Sequence, residues 1–267
     1  MVSWLILGLG GAFSGVLAGL LGIGGGFIIV SLLVALGYPP IQAVATSSMV
    51  IILSSSTGSF YNWRNGYLDL TRVIYIAVPA IFAAQLGVYL AGQIPPYILL
   101  VIFSLFLIVN IFLIRLRKRL VAKDRGSGDR HTRFNPIISK LATGGIAGFL
   151  AGLLGVGGGA IMVPLQMLLL NEPIKVAIRT SLGVIVAATI SSTIFHALQG
   201  NVLYIEGLTL GLGGIIGTQV GTRVLPKLPD TIVTRIFTLF LATMAVLNLW
   251  QAWQSYATVD NLSKLII

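Results

Sequence analysis

The chain has 267 residues, 56% hydrophobic and only 9% charged, with a mean hydropathy of +0.98. A water-soluble domain carries about 25% charged residues, so this composition excludes one. Uncharged apolar runs of about 20 residues recur along the chain, as membrane-spanning helices require.

The net charge of +10 does not read as a nucleic-acid surface. Nine of the seventeen Lys and Arg residues fall between Arg115 and Lys140, and the most basic part of that stretch, RLRKRLVAKDRGSGDRHTR, has no aromatic or groove-reading residue among its basic ones. A basic loop between hydrophobic halves marks the cytoplasmic side of a membrane. The chain has no cysteine, which removes disulfides and thiolate metal sites. The first residues, MVSWLILGLGG, lack the basic n-region of a signal peptide and are read as retained.

In chain order, a first apolar segment over Trp4–Leu21 meets the glycine run Gly22–Gly26. A short apolar piece, Phe27–Leu36, follows and stops at Gly37-Tyr38-Pro39-Pro40. Ten helical residues rise about 15 Å, half a bilayer, so this piece cannot span alone. The pair predicts a helical hairpin tipped by glycines; one long broken helix is the rival. Ile41–Asn62 is apolar but rich in hydroxyls, Val73–Gly92 carries Gln85, and Tyr97–Ile114 closes the half.

The second half repeats this order. Val16–Gly26 and Phe149–Gly159 are identical at nine of eleven positions. Thr46-Ser47 recurs as Thr180-Ser181, Gln85-x-Gly87 as Gln219-x-Gly221, Gly66 as Gly200, and Pro95 as Pro229. The organisation is therefore a first membrane repeat (1–114), a basic cytoplasmic linker (115–136), a second membrane repeat (137–255) and a C-terminal tail (256–267). The predicted fold is an all-α polytopic membrane protein of two inverted repeats, each a Gly-tipped helical hairpin plus three spanning helices.

Charge argues for the inversion. With re-entrant hairpins, every Lys and Arg except Lys264 falls on the side of the central loop. With spanning hairpins, Lys175, Arg179, Arg223, Lys227 and Arg235 move to the opposite side, against the Lys/Arg rule. Both termini are then outside.

Inverted hairpins bring two glycine tips toward the bilayer midplane, where matched helix breaks mark a transporter's binding site. Helix N-termini at Phe27 and Ala160 point unpaired amides and a positive dipole end at an anion. Gly22, Gly24, Gly25 and Gly26, with Gly155, Gly157, Gly158 and Gly159, are the candidate substrate-binding backbone. Thr46, Ser47, Ser48, Thr180, Ser181, Gln85 and Gln219 are candidate neutral donors around it, although membrane hydroxyls also bond back to their own helix. The GxxxG pairs Gly15/Gly19 and Gly148/Gly152 read as close helix packing. Asn62 and His196 occupy matched positions near segment ends; a satisfied polar residue and a proton-sensitive gate are the two readings.

No segment carries paired carboxylates, HExxH or a Ser/His/Asp set at membrane depth, so enzyme chemistry, cofactors and metals are not expected. An inside-negative potential drives an anion outward by about 2.3 kcal/mol per charge per 100 mV, so export needs no buried proton relay.

The doubled GLLGxGGG, Pro164 after the second copy, Thr-Ser after each hairpin and the matched Gln-x-Gly together resemble the TauE/SafE family of sulfite and organosulfonate exporters. The resemblance covers essentially the whole chain. It implies a multi-pass transporter of the bacterial or archaeal cytoplasmic membrane for anions such as sulfite, sulfoacetate or thiosulfate. Ser31 stands where the second copy has Pro164, so the two hairpins are expected to differ in bend. The main reading is alternating-access export of a small sulfur oxyanion. Its rivals are an importer or channel for an anion such as thiosulfate or sulfate, and a non-transporting membrane scaffold. The expected partners are a small anion, the lipid bilayer and, as an open option, a second copy of the chain.

Overall fold

The computed structural model describes residues 4–91, 93–94, 98, 101–102, 104–112, 114, 135–154 and 157–265. All regular structure among the described residues is helical. The first half holds α1 (Trp4–Leu21), α2 (Gly26–Ala35), α3 (Pro40–Arg64) and α4 (Leu70–Ala91), and the described residues between 98 and 114 are helical too. The second half holds α5 (Pro136–Leu154), α6 (Gly159–Leu169), α7 (Ile174–Leu198) and α8 (Tyr204–Val224). A 3-10 turn at Leu225–Lys227 then leads to α9 (Asp230–Leu265). Five helices among the described residues are long and apolar enough to cross a bilayer. This is an all-α polytopic membrane protein. The basic linker lies outside the described residues as far as position 134. The stretch expected as a C-terminal tail is helical through Leu265, continuing α9.

Local chemistry sets the element ends. Pro40 occupies the first turn of α3, where its missing N–H costs nothing. Pro173 is the N-cap of the matching α7. The hairpin arms α1 and α2 are parted at Gly25, and α5 and α6 at Gly158. Both glycines are left-handed, with φ 80° and 73°, a conformation a side chain would strain. Neither N-cap has a side-chain hydrogen bond to its helix. The hairpins differ where the sequence says: Pro164 lies inside α6, whereas α2 carries Ser31 and keeps that backbone donor.

The halves interlock rather than sit side by side. α1 packs parallel to α8 of the other half: a methyl at Gly11, Gly15 or Gly19 would overlap Leu210, Gly214 and Thr218 in turn. Reciprocally, α5 packs parallel to α4, with Gly144, Gly148 and Gly152 against Ile76, Ala80 and Ala84. The GxxxG pairs thus serve backbone-to-backbone approach, the use that small residues have in membrane helices. The two matched helices α3 and α7 touch each other running in opposite directions. Ser48 Oγ lies 3.5 Å from Ser192 Oγ, and a methyl at Gly58 would sit 3.2 Å from Leu182.

Charged residues gather at one end. Arg72 pairs with Glu172 at 2.8 Å and Lys175 with Asp230 at 3.4 Å. Arg179 stacks on Tyr67 and Arg223 on Tyr61, 4.1 and 5.9 Å from the ring centres. The turns after α3, before α7 and after α8 therefore share one face of the molecule. At the opposite end Tyr38 donates to Glu206 (3.0 Å), and the Leu203 amide donates to Thr46 Oγ1 (3.0 Å).

Candidate functional site

The two glycine tips meet. A methyl on Gly159 would overlap the Gly22 carbonyl oxygen, so the two main chains are in direct contact. Ile51 of α3 and Ile185 of α7 flank both tips: either isoleucine would touch a methyl added at Gly24 or at Gly157. Each isoleucine lies within a residue of the middle of its 25-residue helix. A 25-residue helix is about 38 Å long, so the junction sits at mid-height.

Hydroxyls hold the first tip by its carbonyl oxygens. Ser14 Oγ donates to Gly25 O (2.8 Å), Ser47 Oγ to Gly26 O (3.2 Å) and Ser54 Oγ to Gly24 O (3.5 Å). From the other half, Ser181 Oγ donates to Gly22 O (2.7 Å) and to Ile178 O (2.9 Å). The oxygens that would repel an anion are thus engaged by protons. The dipoles of α2 and α6 both start at this junction with their positive ends. Within their first turns, Ile28 N donates to Gly25 O (3.2 Å) and Ile161 N to Gly158 O (3.1 Å). The junction is buried, braced by hydroxyls and faced by the positive ends of two helix dipoles.

The expected site residues divide into two groups. Gly22, Gly24, Gly25, Gly26, Gly157, Gly158 and Gly159 come together, as do Ser47 and Ser181, which are fully buried. Gly155 lies outside the described residues. Ser47 and Ser181 spend their protons on the first tip's carbonyls, so here they brace the backbone. Thr46 is not at the tips but accepts the Leu203 amide at the start of α8. Thr180 is buried on α7 beside Ser181. Ser48 donates back to Val44 O (3.1 Å) and faces Ser192. Gln85 donates to Ser191 Oγ (3.3 Å) and lines a cavity of about 160 Å3 with Ala84, Val88, Ser191, Ser192 and Phe195. Gln219 is half-buried on α8.

Two residues have a place at the tips that sequence reasoning did not assign, and a third stands at the charged end. Ser14 and Ser54 brace the first tip; in the sequence they are single hydroxyls among many. Arg179 stands immediately before Thr180-Ser181, where the first repeat has Ala45 before Thr46-Ser47. That break in the repeat was its only signal.

Comparison with known proteins decides the family. Residues 7–247 match the family described as "Sulfite exporter TauE/SafE". The chain belongs to the TauE/SafE family. Its similarity to "Probable membrane transporter protein YunE" of Bacillus subtilis is 28% identity, covering 90% of this chain and 95% of that one. "Probable membrane transporter protein MJ0441" of Methanocaldococcus jannaschii is 30% identical over 74% of each chain. A "Probable membrane transporter protein" of Xylella fastidiosa is 26% identical over 92% of this chain and 94% of that one. This TauE/SafE member is thus a multi-pass membrane transporter, and its relatives' names point to transport rather than catalysis.

Proposed function

We propose that this TauE/SafE protein exports a small sulfur-containing oxyanion, sulfite or an organosulfonate such as sulfoacetate, across the cytoplasmic membrane. Substrate binds between the two glycine tips and is exposed to each side in turn. The observation that carries this reading is the direct contact of Gly22 with Gly159 at the mid-height of α3 and α7. Binding by amides suits a carrier, because a ligand held by dipoles rather than by a buried Lys is released at low cost.

The antiparallel contact of α3 with α7 supports inverted repeats. Matched helices that touch in opposite directions are related by an axis perpendicular to them, which lies in the membrane plane. The shared end of Arg72, Lys175, Arg179 and Arg223 supports its assignment to the cytoplasm, since Lys/Arg bias sets the orientation of short loops. Arg179 at that end favours capture of an anion from inside.

The test is efflux from proteoliposomes of known orientation, with sulfite, sulfoacetate, thiosulfate and sulfate as cargoes and a cation as control. Gly24→Ala and Gly157→Ala, whose methyls meet the side-chain ends of Ile51 and Ile185, are expected to lower sulfite flux at least tenfold, with folding checked by size-exclusion chromatography. Undiminished flux in both variants overturns the tip site. Flux without countertransport identifies a channel, and absence of flux for every anion favours a scaffold.

A further inference from the structure

Beyond each tip-flanking isoleucine, one helix face stays polar to the end of its helix. On α3, Ile51 is followed at i+4, i+8 and i+11 by Ser55, Ser59 and Asn62; on α7, Ile185 is followed by Thr189, Thr193 and His196. That spacing puts each set on one face of its helix. Ser55, Asn62 and His196 are 0%, 1% and 7% exposed.

Among the described residues, Ser55 Oγ, Ser59 Oγ, Asn62 Nδ2, Thr193 Oγ1 and His196 Nδ1 are buried and have no hydrogen-bond partner. Hydroxyls in a membrane helix normally back-bond to the preceding turn. Ser48, Thr57 and Thr189 do so here, at 3.1, 2.8 and 2.7 Å. Ser55, Ser59 and Thr193 do not. An unsatisfied buried polar atom costs about 1–3 kcal/mol, and four of the five fall at matched places in the two repeats, Ser59 with Thr193 and Asn62 with His196. A hydrophobic interior tolerates such groups where they line an aqueous cavity.

We propose that these faces line two aqueous half-paths running from the glycine tips to opposite ends of the molecule, and that they carry a small oxyanion by hydrogen-bond donation. Because α3 and α7 are antiparallel, the Ser55–Ser59–Asn62 path ends at the charged end, beside Arg179 and Tyr67. The Thr189–Thr193–His196 path ends at the Tyr38–Glu206 end. The hydroxyl and amide donors match an oxyanion's acceptors, and neither stripe carries a carboxylate to repel it. The identity of the cargo rests on the proposed function above; the presence of water does not.

The natural absence of cysteine makes the test direct. Single cysteines replace each of the six polar residues, all in the full-length protein in oriented vesicles, and an anionic, membrane-impermeant thiosulfonate is applied from one side at a time. Asn65→Cys and Gln199→Cys report each side, and Ala80→Cys, fully buried against α5, reports the background. Positions 55, 59 and 62 are expected to label at least tenfold faster than position 80 from the side that labels position 65. Positions 189, 193 and 196 are expected to do so from the side that labels position 199. Background rates at either stripe, or labelling of both from the same side, overturn the proposal. Labelling is read without substrate, so it holds or fails independently of the tip site. Unchanged labelling of these positions in a Gly24→Ala background that has lost sulfite flux separates the two readings.

Discussion

The hydroxyl of Ser181 donates to the carbonyl of Gly22 across 2.7 Å and 159 positions of sequence, tying the second repeat to the first repeat's tip. Removing it leaves a buried carbonyl without its donor, at a cost of about 1–3 kcal/mol. Ser181→Ala is therefore expected to lower the thermal midpoint in detergent and to reduce sulfite flux. Ser181→Cys, similar in size but a weak donor, should fall nearer to Ala than to the parent. A parent-like midpoint for both variants would show that the bond does not hold the tip.

The glycines of the junction and those on open helix faces should answer oppositely to the same change. Gly159→Ala places a methyl against Gly22 O and Ile23, and Gly22→Ala adds a left-handed strain at φ 68° to overlap with Ile178. Both are expected to destabilise strongly, by more than about 2 kcal/mol. Gly145→Ala has nothing within 4 Å of the added methyl. It should be neutral or stabilising by up to about 1 kcal/mol through helix propensity. Thermal denaturation of the three variants in one detergent checks the ordering.

Arg179 sits in a single copy at the end of the Ser55–Asn62 face, its guanidinium over Tyr67. Arg179→Gln is expected to raise the half-saturating sulfite concentration on that face about five- to tenfold, a loss of about 1–1.4 kcal/mol, while sparing the maximal rate. Arg179→Lys keeps the charge and loses the planar stack, so it should fall in between. A fall in maximal rate with unchanged half-saturation would instead place Arg179 in a conformational step.

Tyr38 and Glu206 join the α2–α3 turn to the start of α8 at the less charged end. Partial burial, then the hydrogen bond to Glu206 and that residue's charge, push the Tyr38 phenol above its ordinary value of 10.0. The folded state favours the neutral phenol, so this contribution to stability is complete below the unfolded value near 10 and is lost as pH rises beyond it. Tyr38→Phe should lower stability by about 0.5–1.5 kcal/mol. The deficit should stay constant from about pH 6 to 9 and shrink above about pH 10, where the parent loses the same bond. Parallel melting curves across that range provide the check.

Element positions were largely legible in the sequence because each depends on local composition. The end of α1 at Leu21 was read to the residue, and α2 and α3 to within two residues at either end, since proline and glycine punctuate them. The junction of tips was legible through duplication, because a break repeated in both halves is a local feature seen twice. Partners were not legible. Nothing in the spacing of Ser47 or Ser181 says that their protons go to Gly26 and Gly22 rather than outward. Nor does any local pattern tell Ser14 or Ser54 from the other hydroxyls, because those bonds are made by tertiary approach. His196 shows the same limit: the choice between a satisfied residue and a gate turned on neighbours, and the structure buries it with Nδ1 unpartnered.

The crossing of hairpins between halves has a consequence for how such a chain can be divided. The glycine face of α1 finds its match on α8, and that of α5 on α4, so neither half contains the surface that its own leading arm needs. A lone first half would present Gly11, Gly15 and Gly19 to lipid tails, and two identical halves inserted in one sense would leave both faces bare. Under the inversion proposed above, only a pair inserted in opposite senses completes the exchange. On that proposal, joining the halves in one chain supplies one partner of each orientation in equal number.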